Sequence, residues 1–285
     1  MNLAQIGKKT WRKLAVSISL LSGGCAGWLA WGMSGGQWQL IVPAGILGGI
    51  ITGPLVALLG SVNLKLNDLR TKIRREHVSL WELTNIRPLV DGPPLDYGHW
   101  AMDPYFGKIL AQLIYQHEPD RIVECGSGTS TAFMAKLLKR VNPEGKITAL
   151  EHLSEYAQKT DQLLQDHTVE TGTEVLRTPL REWEVDGTSY AWYGVEPDRF
   201  PENSIDLLVV DGPPHTTGDN PRYAAALVLQ ECLSEECVIV LDDGKREEEE
   251  EAAKRWAEVL EADVEYKEGP KGTYILRRGR AAREA

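Results

Sequence analysis

Several short apolar runs in this 285-residue chain end beside carboxylates. Residues 121–125 enter the loop Glu124-Cys125-Gly126-Ser127-Gly128-Thr129-Ser130-Thr131. Residues 146–150 end at Glu151, residues 205–210 at Asp211, and residues 237–241 at Asp242 and Asp243. Gly126 and Gly128 let a chain turn sharply and bring backbone N–H groups close to a ligand at a helix N-terminus. A dinucleotide loop would place Gly or Ala where Thr131 stands. Glu124 beside the loop is awkward for a pyrophosphate and natural for a cationic amine. Those two positions disfavour a nicotinamide oxidoreductase. Glu151 has the type and place to accept hydrogen bonds from both hydroxyls of a ribose. Asp211, Asp242 and Asp243 end two neighbouring runs, and three close carboxylates need relief from a cation, a shared proton or solvent. A hard divalent ion such as Mg²⁺ takes oxygen ligands and would also acidify an acceptor hydroxyl. His215, four positions beyond Asp211, is a candidate general base, because an imidazole is the side chain best suited to exchange a proton near neutral pH. A loop histidine without a role is the alternative.

These residues need a frame that presents strand ends to one crevice. After residue 87, short apolar runs alternate with amphipathic stretches, the pattern of a parallel α/β sheet. The periodicity predicts helices over 103–116, 129–140, 154–167, 222–233 and 247–260. It predicts strands over 121–125, 146–150, 173–176, 205–210 and 237–241, with a closing pair at 264–266 and 273–276. In such sheets ligands bind beyond the carboxyl ends of the strands. The run Glu247–Glu251 reads as a solvated helix start, with i,i+4 pairs Glu250/Lys254 and Glu251/Arg255.

The succession E-C-G-S-G-T-S-T, I-T-A-L-E-H, I-D-L-L-V-V-D-G-P-P and V-I-V-L-D-D-G-K-R, followed by a terminal strand pair, resembles the class I S-adenosylmethionine (SAM) dependent methyltransferases. It is most similar to small-molecule O-methyltransferase-like families of the macrocin and catechol types, over residues 89–278. The resemblance implies a Rossmann-like sheet, mostly parallel with an antiparallel terminal strand. It assigns Glu124 to the methionine amine, Gly126, Ser127, Gly128 and Thr129 to close approach of the cofactor, and Glu151 to the ribose. Thr178, Pro179 and Leu180 fall where such enzymes contact adenine, and Asp211 lies near SAM and the acceptor. The segment 91–103 falls where a lid lies, with His99 and Trp100 as candidate ligand contacts. Catechol-type enzymes carry Asp, then Asp-Asn, at the matching strand ends; here Asp243 replaces the Asn of a metal set Asp211, Asp242 and Asp243.

The front of the chain lies outside the resemblance. Residues 14–33 and 40–62 are charge-free and long enough to cross a bilayer as helices. Lys8, Lys9, Arg12 and Lys13 precede them, Lys65, Arg70, Lys72, Arg74 and Arg75 follow, and the intervening loop is uncharged. These features predict a transmembrane hairpin over 1–62 with both ends cytoplasmic, an amphipathic linker helix over 63–87, and a methyltransferase domain over 88–285. The net charge of −10 is concentrated in the body, because the first 87 residues hold ten basic and three acidic side chains. An acidic body excludes nucleic acid as a partner, whereas the basic front suits an anionic membrane surface. Cys25, Cys125, Cys232 and Cys237 form no C-x-x-C pair and read as reduced packing residues. The expected function is methyl transfer from SAM to an oxygen of a small or lipid-like acceptor. The alternative is a non-catalytic, membrane-anchored SAM-fold scaffold. A homo-oligomer is compatible with either.

Overall fold

The computed structural model describes residues 38–97 and 101–279, with scattered residues between 13 and 28. The chain divides into two compact units, residues 1–76 and 77–285. In the first unit the described residues are helical. Helix α1, Trp38–Ile86, begins there and continues into the second unit. Ile46, Leu47, Ile50, Ile51, Leu55, Leu58 and Leu59 are all exposed, so this stretch of α1 carries apolar side chains with no apolar cover. Among the described residues, one helix is long and apolar enough to cross a membrane by length and composition. The Ser22 and Thr52 hydroxyls hydrogen-bond each other, which links the first apolar stretch to α1. The turn expected between the two stretches lies outside the described residues, as do His99 and Trp100.

The stretch read as a linker is continuous with the second apolar stretch, because nothing between 38 and 86 breaks the helix. Its last turns belong to the body. Ile86 is buried there, and Glu82 is buried against Lys108 at 2.8 Å. Helix α2, Pro104–His117, starts at Asp103, whose side chain accepts the Tyr105 N–H at 2.8 Å. Pro104 at its first position needs no N–H partner.

The body is built on a seven-stranded sheet. Its strands are β1 (Arg121–Cys125), β2 (Lys146–Glu151), β3 (Thr173–Arg177), β6 (Ile205–Val210), β7 (Leu233–Leu241), β8 (Asp263–Lys267) and β9 (Thr273–Arg277), in the order β3-β2-β1-β6-β7-β9-β8. The first five strands in that order are parallel; β9 is antiparallel to both β7 and β8. Alternate residues feed opposite faces, as the two-residue period of a strand requires. Leu207, Val209, Val238 and Val240 join one core with α2, α3 (Thr129–Val141) and α4 (Ser154–Asp166). Leu208, Val210, Ile239 and Leu241 join the other with α5 (Ala224–Val228) and α6 (Glu247–Leu260). Burial on both faces explains why these strands read as continuous apolar runs. The chain leaves β1 toward β2 on one side and returns to β6 on the other, which makes the carboxyl ends of β1 and β6 a topological switch point.

Three local expectations change. A helix over 222–233 shrinks to Ala224–Val228, because Leu233 already pairs with Ile205 of β6. Strand β7 therefore starts four residues before the apolar run, with a register shift after Ile205. Second, Leu180–Val185 (β4) and Thr188–Tyr193 (β5) form an antiparallel hairpin absent from the sequence reading. Third, Arg255 pairs with Asp186 in the hairpin turn at 2.8 Å instead of Glu251, while Glu250 and Lys254 do pair at 2.6 Å. The four cysteines are free thiols, three of them buried.

Candidate functional site

A cavity of about 420 Å³ opens at the carboxyl ends of the central strands. Ser127 and Glu151 form part of its wall, and Asp211, His215 and Asp243 form another. Local folding explains how the loop after β1 reaches it. Gly126 adopts φ +107° and Gly128 φ +155°, and at Gly128 no atom lies within 4 Å of where a Cβ would stand. Thr131 holds the loop shut behind. Its hydroxyl accepts the Gly128 N–H at 2.9 Å and donates to Glu124 at 2.5 Å, while Ser130 donates to the other Glu124 oxygen. Glu124 is thus 1% exposed and anchors the first turn of α3 from below.

Glu151 is fixed from two sides. One oxygen accepts the Ser127 hydroxyl at 3.1 Å, and the other accepts the Leu153 N–H at 2.9 Å. His152 Nδ1 lies 3.2 Å from the same carboxylate but off-line for a hydrogen bond. Each carboxylate oxygen keeps capacity for a further donor.

The acid cluster is the electrostatic centre. One oxygen from each of Asp211, Asp242 and Asp243 lies within 4.8 Å of the others. Asp243 sits at φ +59°, a left-handed conformation that Asp tolerates better than most residues. Between these carboxylates lies the Arg222 guanidinium. It donates to the main-chain oxygens of Asp211 at 2.6 Å and Asp242 at 3.1 Å, and to the Asp243 carboxylate at 3.0 Å. Arg246 reaches Asp243 at 2.9 Å, and Lys271 reaches Asp242 at 3.3 Å. Burial pushes the Asp242 carboxyl up to about 7, with Asp211 adding repulsion. At Asp243 burial is outweighed by Arg222, Lys271 and Arg246, which hold its pKa below the ordinary value. The same carboxylates raise Lys271 against its own burial.

Distance alone would let the three carboxylates share a divalent ion. Their charge, however, is already answered by Arg222, Arg246 and Lys271. An ion bonding these oxygens at about 2.1 Å would stand against cations that the fold holds in place. The donor set as arranged is committed to these cations and does not fit Mg²⁺. Glu249 completes the network: it is buried, 3.2 Å from Arg246 and 3.6 Å from Arg222. The run Glu247–Glu251 is therefore not uniformly solvated, because one of its members faces inward.

The structure brings Ser127, Glu151, Asp211, His215 and Asp243 onto one cavity. Glu124, Gly126, Gly128, Thr129, Asp242, Pro179 and Leu180 are not among its lining residues. Thr178 extends the strand edge, its N–H donating to the Glu151 carbonyl at 2.9 Å. Leu180 is taken into β4 opposite Tyr193. Sequence reasoning missed His152, Tyr156, Tyr193, Arg246 and Lys271 on the wall. Lys271 comes from the loop before β9, and only the antiparallel insertion of β9 beside β7 brings it here. Tyr193 arrives on the overlooked hairpin; its buried hydroxyl lies 2.5 Å from where a Cβ on Gly212 would stand.

Residues 123–244 match a family model described as a methyltransferase domain. That span contains the glycine loop, Glu151, Asp211, Arg222 and the Asp242-Asp243 pair. A structure of a Klebsiella pneumoniae protein assigned as an O-methyltransferase is 19% identical, with a TM-score of 0.50, over 72% of this chain and 99% of that one. The O-methyltransferase TomG from Streptomyces achromogenes, solved with SAM, is 17% identical over 72% and 99%, with a TM-score of 0.49. The Bacillus cereus O-methyltransferase, solved with SAH, is 16% identical over 70% and 90%, with a TM-score of 0.47. The first of these likenesses shows the class I methyltransferase fold. No curated protein sequence matches the chain.

Burial pushes the Glu124 carboxyl from an ordinary 4.5 up to about 8, against the Ser130 and Thr131 hydroxyls, with Asp211 and Glu151 adding to the rise. The folded protein therefore holds a proton that the unfolded chain releases. This contribution to stability is complete below the unfolded value and is lost as pH rises toward the folded one. Glu124→Gln, neutral throughout, is expected to flatten the fall in urea midpoint between pH 5 and pH 8, a window of about three units set by those two values. A slope unchanged from the parent protein rules the assignment out.

Proposed function

We propose that this chain, whose residues 123–244 match a methyltransferase-domain model and whose body has the class I fold, is a SAM-dependent enzyme that methylates an oxygen of a small or amphiphilic acceptor at the cytoplasmic face of a membrane. The observation that carries this reading is the convergence of Ser127, Glu151, Asp211 and His215 on one cavity beyond the strand ends. The glycine loop fits the cofactor, because the space beside Gly128 is open and a side chain there would fill it. When bound, SAM supplies an electrophilic methyl group. In this reading Glu151, steadied by Ser127 and Leu153, accepts the ribose hydroxyls. Glu124 acts through the loop, holding Ser130 and Thr131. Thr129 opens α3 behind the glycine loop, and Pro179 and Leu180 follow β3 outside the cavity lining. Asp211 presents a partly exposed carboxylate to the cavity. His215 stands exposed on the turn His215–Thr217 at the rim, where it takes the acceptor's proton. Alignment of the acceptor with the methyl group is the main source of rate. Methyl transfer proceeds without a divalent ion, since resident cations already balance the acid cluster.

The membrane part of the proposal rests on the apolar stretch of α1, on the Ser22–Thr52 bond, and on basic residues flanking both apolar stretches. Positive flanks stay in the cytoplasm, so both ends of the hairpin face inward.

Calorimetry on the full chain in detergent should show heat with SAM and with its demethylated product. Gly128→Val should weaken that binding at least tenfold, with the fold retained by circular dichroism; heat with NAD and none with SAM would refute the reading. Transfer of label from SAM to membrane extracts should survive chelator. His215→Ala should slow transfer by about 10²-fold while SAM affinity is kept. Activity lost in chelator and restored by Mg²⁺ would overturn the metal-free proposal. Carbonate extraction should leave the protein in the membrane pellet, and protease added to intact cells should spare the body; digestion from outside contradicts the orientation.

A further inference from the structure

A second cavity, of about 490 Å³, lies away from the acid cluster. Helix α3 begins at the carboxyl end of β1, so its final turns lie toward the amino ends of the strands. Lys136, Lys139 and Arg140 line the cavity from those turns, at spacings that share one helix face. His167 faces them from the end of α4, and Asp91 to Pro93 close the side.

The donors on this wall are underused. Lys136 is 9% exposed, and its ammonium is hydrogen-bonded to the Asp91 carbonyl at 2.6 Å, leaving further hydrogens to place. Lys139 donates to the Thr168 carbonyl at 3.0 Å and also keeps hydrogens to place. His167 is 4% exposed, and its Nδ1 is buried with no hydrogen-bond partner. A buried polar atom left unpaired gives up its hydration without return, so such an atom calls for a partner. Gly92 lets the loop come close to both nitrogens. At φ +91° a Cβ there would stand 3.4 Å from Lys136 Nζ and 3.8 Å from His167 Nδ1. Both nitrogens therefore reach the same part of the cavity wall, beside the Gly92 backbone.

Arg140 has a different task. It donates to the Leu89 carbonyl and, at 2.6 Å, to the Asp91 carboxylate, tying down the loop that carries Gly92. Asp91 is neutralised by this pair, and Asp166 is the other acid on the wall. The balance is positive in a body that is otherwise strongly acidic. Bases in the last turn of a helix also answer its dipole, but that role accounts for neither the depth of Lys136 nor the orphaned nitrogen of His167.

We propose that this cavity binds a phosphate group, with Lys136, Lys139 and His167 as donors and Arg140 as the residue that positions the loop. The oxygens of a phosphate can accept from several directions at once, which matches donors arriving from two helices. The cavity exceeds the size of a bare phosphate, so a phosphate borne by a larger headgroup also fits. The proposal is independent of methyl transfer.

The test uses the full chain in detergent with two probes, inorganic phosphate and dihexanoyl phosphatidic acid, followed by calorimetry and by the imidazole NMR signal of His167. Binding of either probe should move the His167 signal. Lys139→Ala, an exposed substitution, should weaken binding at least threefold, and Lys136→Met at least tenfold, while SAM affinity stays unchanged. Equal binding of both probes supports a site for the phosphate group itself; binding of the lipid alone supports a headgroup site. Heat from neither probe, or binding that is indifferent to both substitutions, overturns the proposal. So does a His167 signal that does not respond, which would leave a bridging water as the occupant.

Discussion

A buried guanidinium holds the centre of this fold. Arg222 lies where β6 and β7 run out, and it joins the two strand ends through the carbonyls of Asp211 and Asp242 before it meets any carboxylate. The cluster could not otherwise be assembled, because acids brought together in a desolvated place repel one another. Removing the cation from such a buried network would leave its carboxylates uncompensated, a change on the order of 3–5 kcal/mol in comparable pairs. Asp243 in its left-handed turn and Glu249, turned inward from a run of glutamates, arrange themselves around the same group, and Arg246 pairs with both of them.

Much of this was legible in the sequence, for reasons that can be named. β1 and β6 were readable because each is a short apolar run with a hard stop, and α6 because its apolar positions recur at helical spacing behind an acidic first turn. The strand-end acids were visible because a carboxylate after an apolar run has few structural excuses. Their compensation was not visible. Lys271 is 29 positions from Asp242 in sequence, and Arg222 stands just before a helix of only five residues, so periodicity places neither beside the acids. Three carboxylates at neighbouring strand ends suggest an ion only while the cations that fold back onto them stay out of view.

The hairpin is a different kind of omission, because its signal was present. Leu180–Val185 and Thr188–Tyr193 alternate around Asp186-Gly187, and both turn residues have positive φ, at 53° and 75°. An Asp-Gly pair between alternating strands is among the strongest local indications of a hairpin. The parallel-sheet pattern around it has no slot for a separate antiparallel pair, which masks the signal. The consequence reached the site: Tyr193 on the cavity wall and Trp192 in the core both come from this element. Its turn is clamped by Arg255 from α6 and by the Tyr223 hydroxyl.

The insertion of β9 between β7 and β8 bears on the order in which a growing chain can mature. Strands β1, β2, β3 and β6 leave the ribosome early and already contain the glycine loop, Glu151 and Asp211. Asp242 follows at the end of β7, and for a further stretch of synthesis it has no Lys271 beside it. The loop that supplies that lysine emerges just ahead of β9, and β9 must then slide in antiparallel against a strand made well before it. A nascent body can therefore own the glycine loop and the strand-end acids of its crevice while their charges are still unbalanced, and the later segment that carries Lys271 both completes the wall and settles those charges.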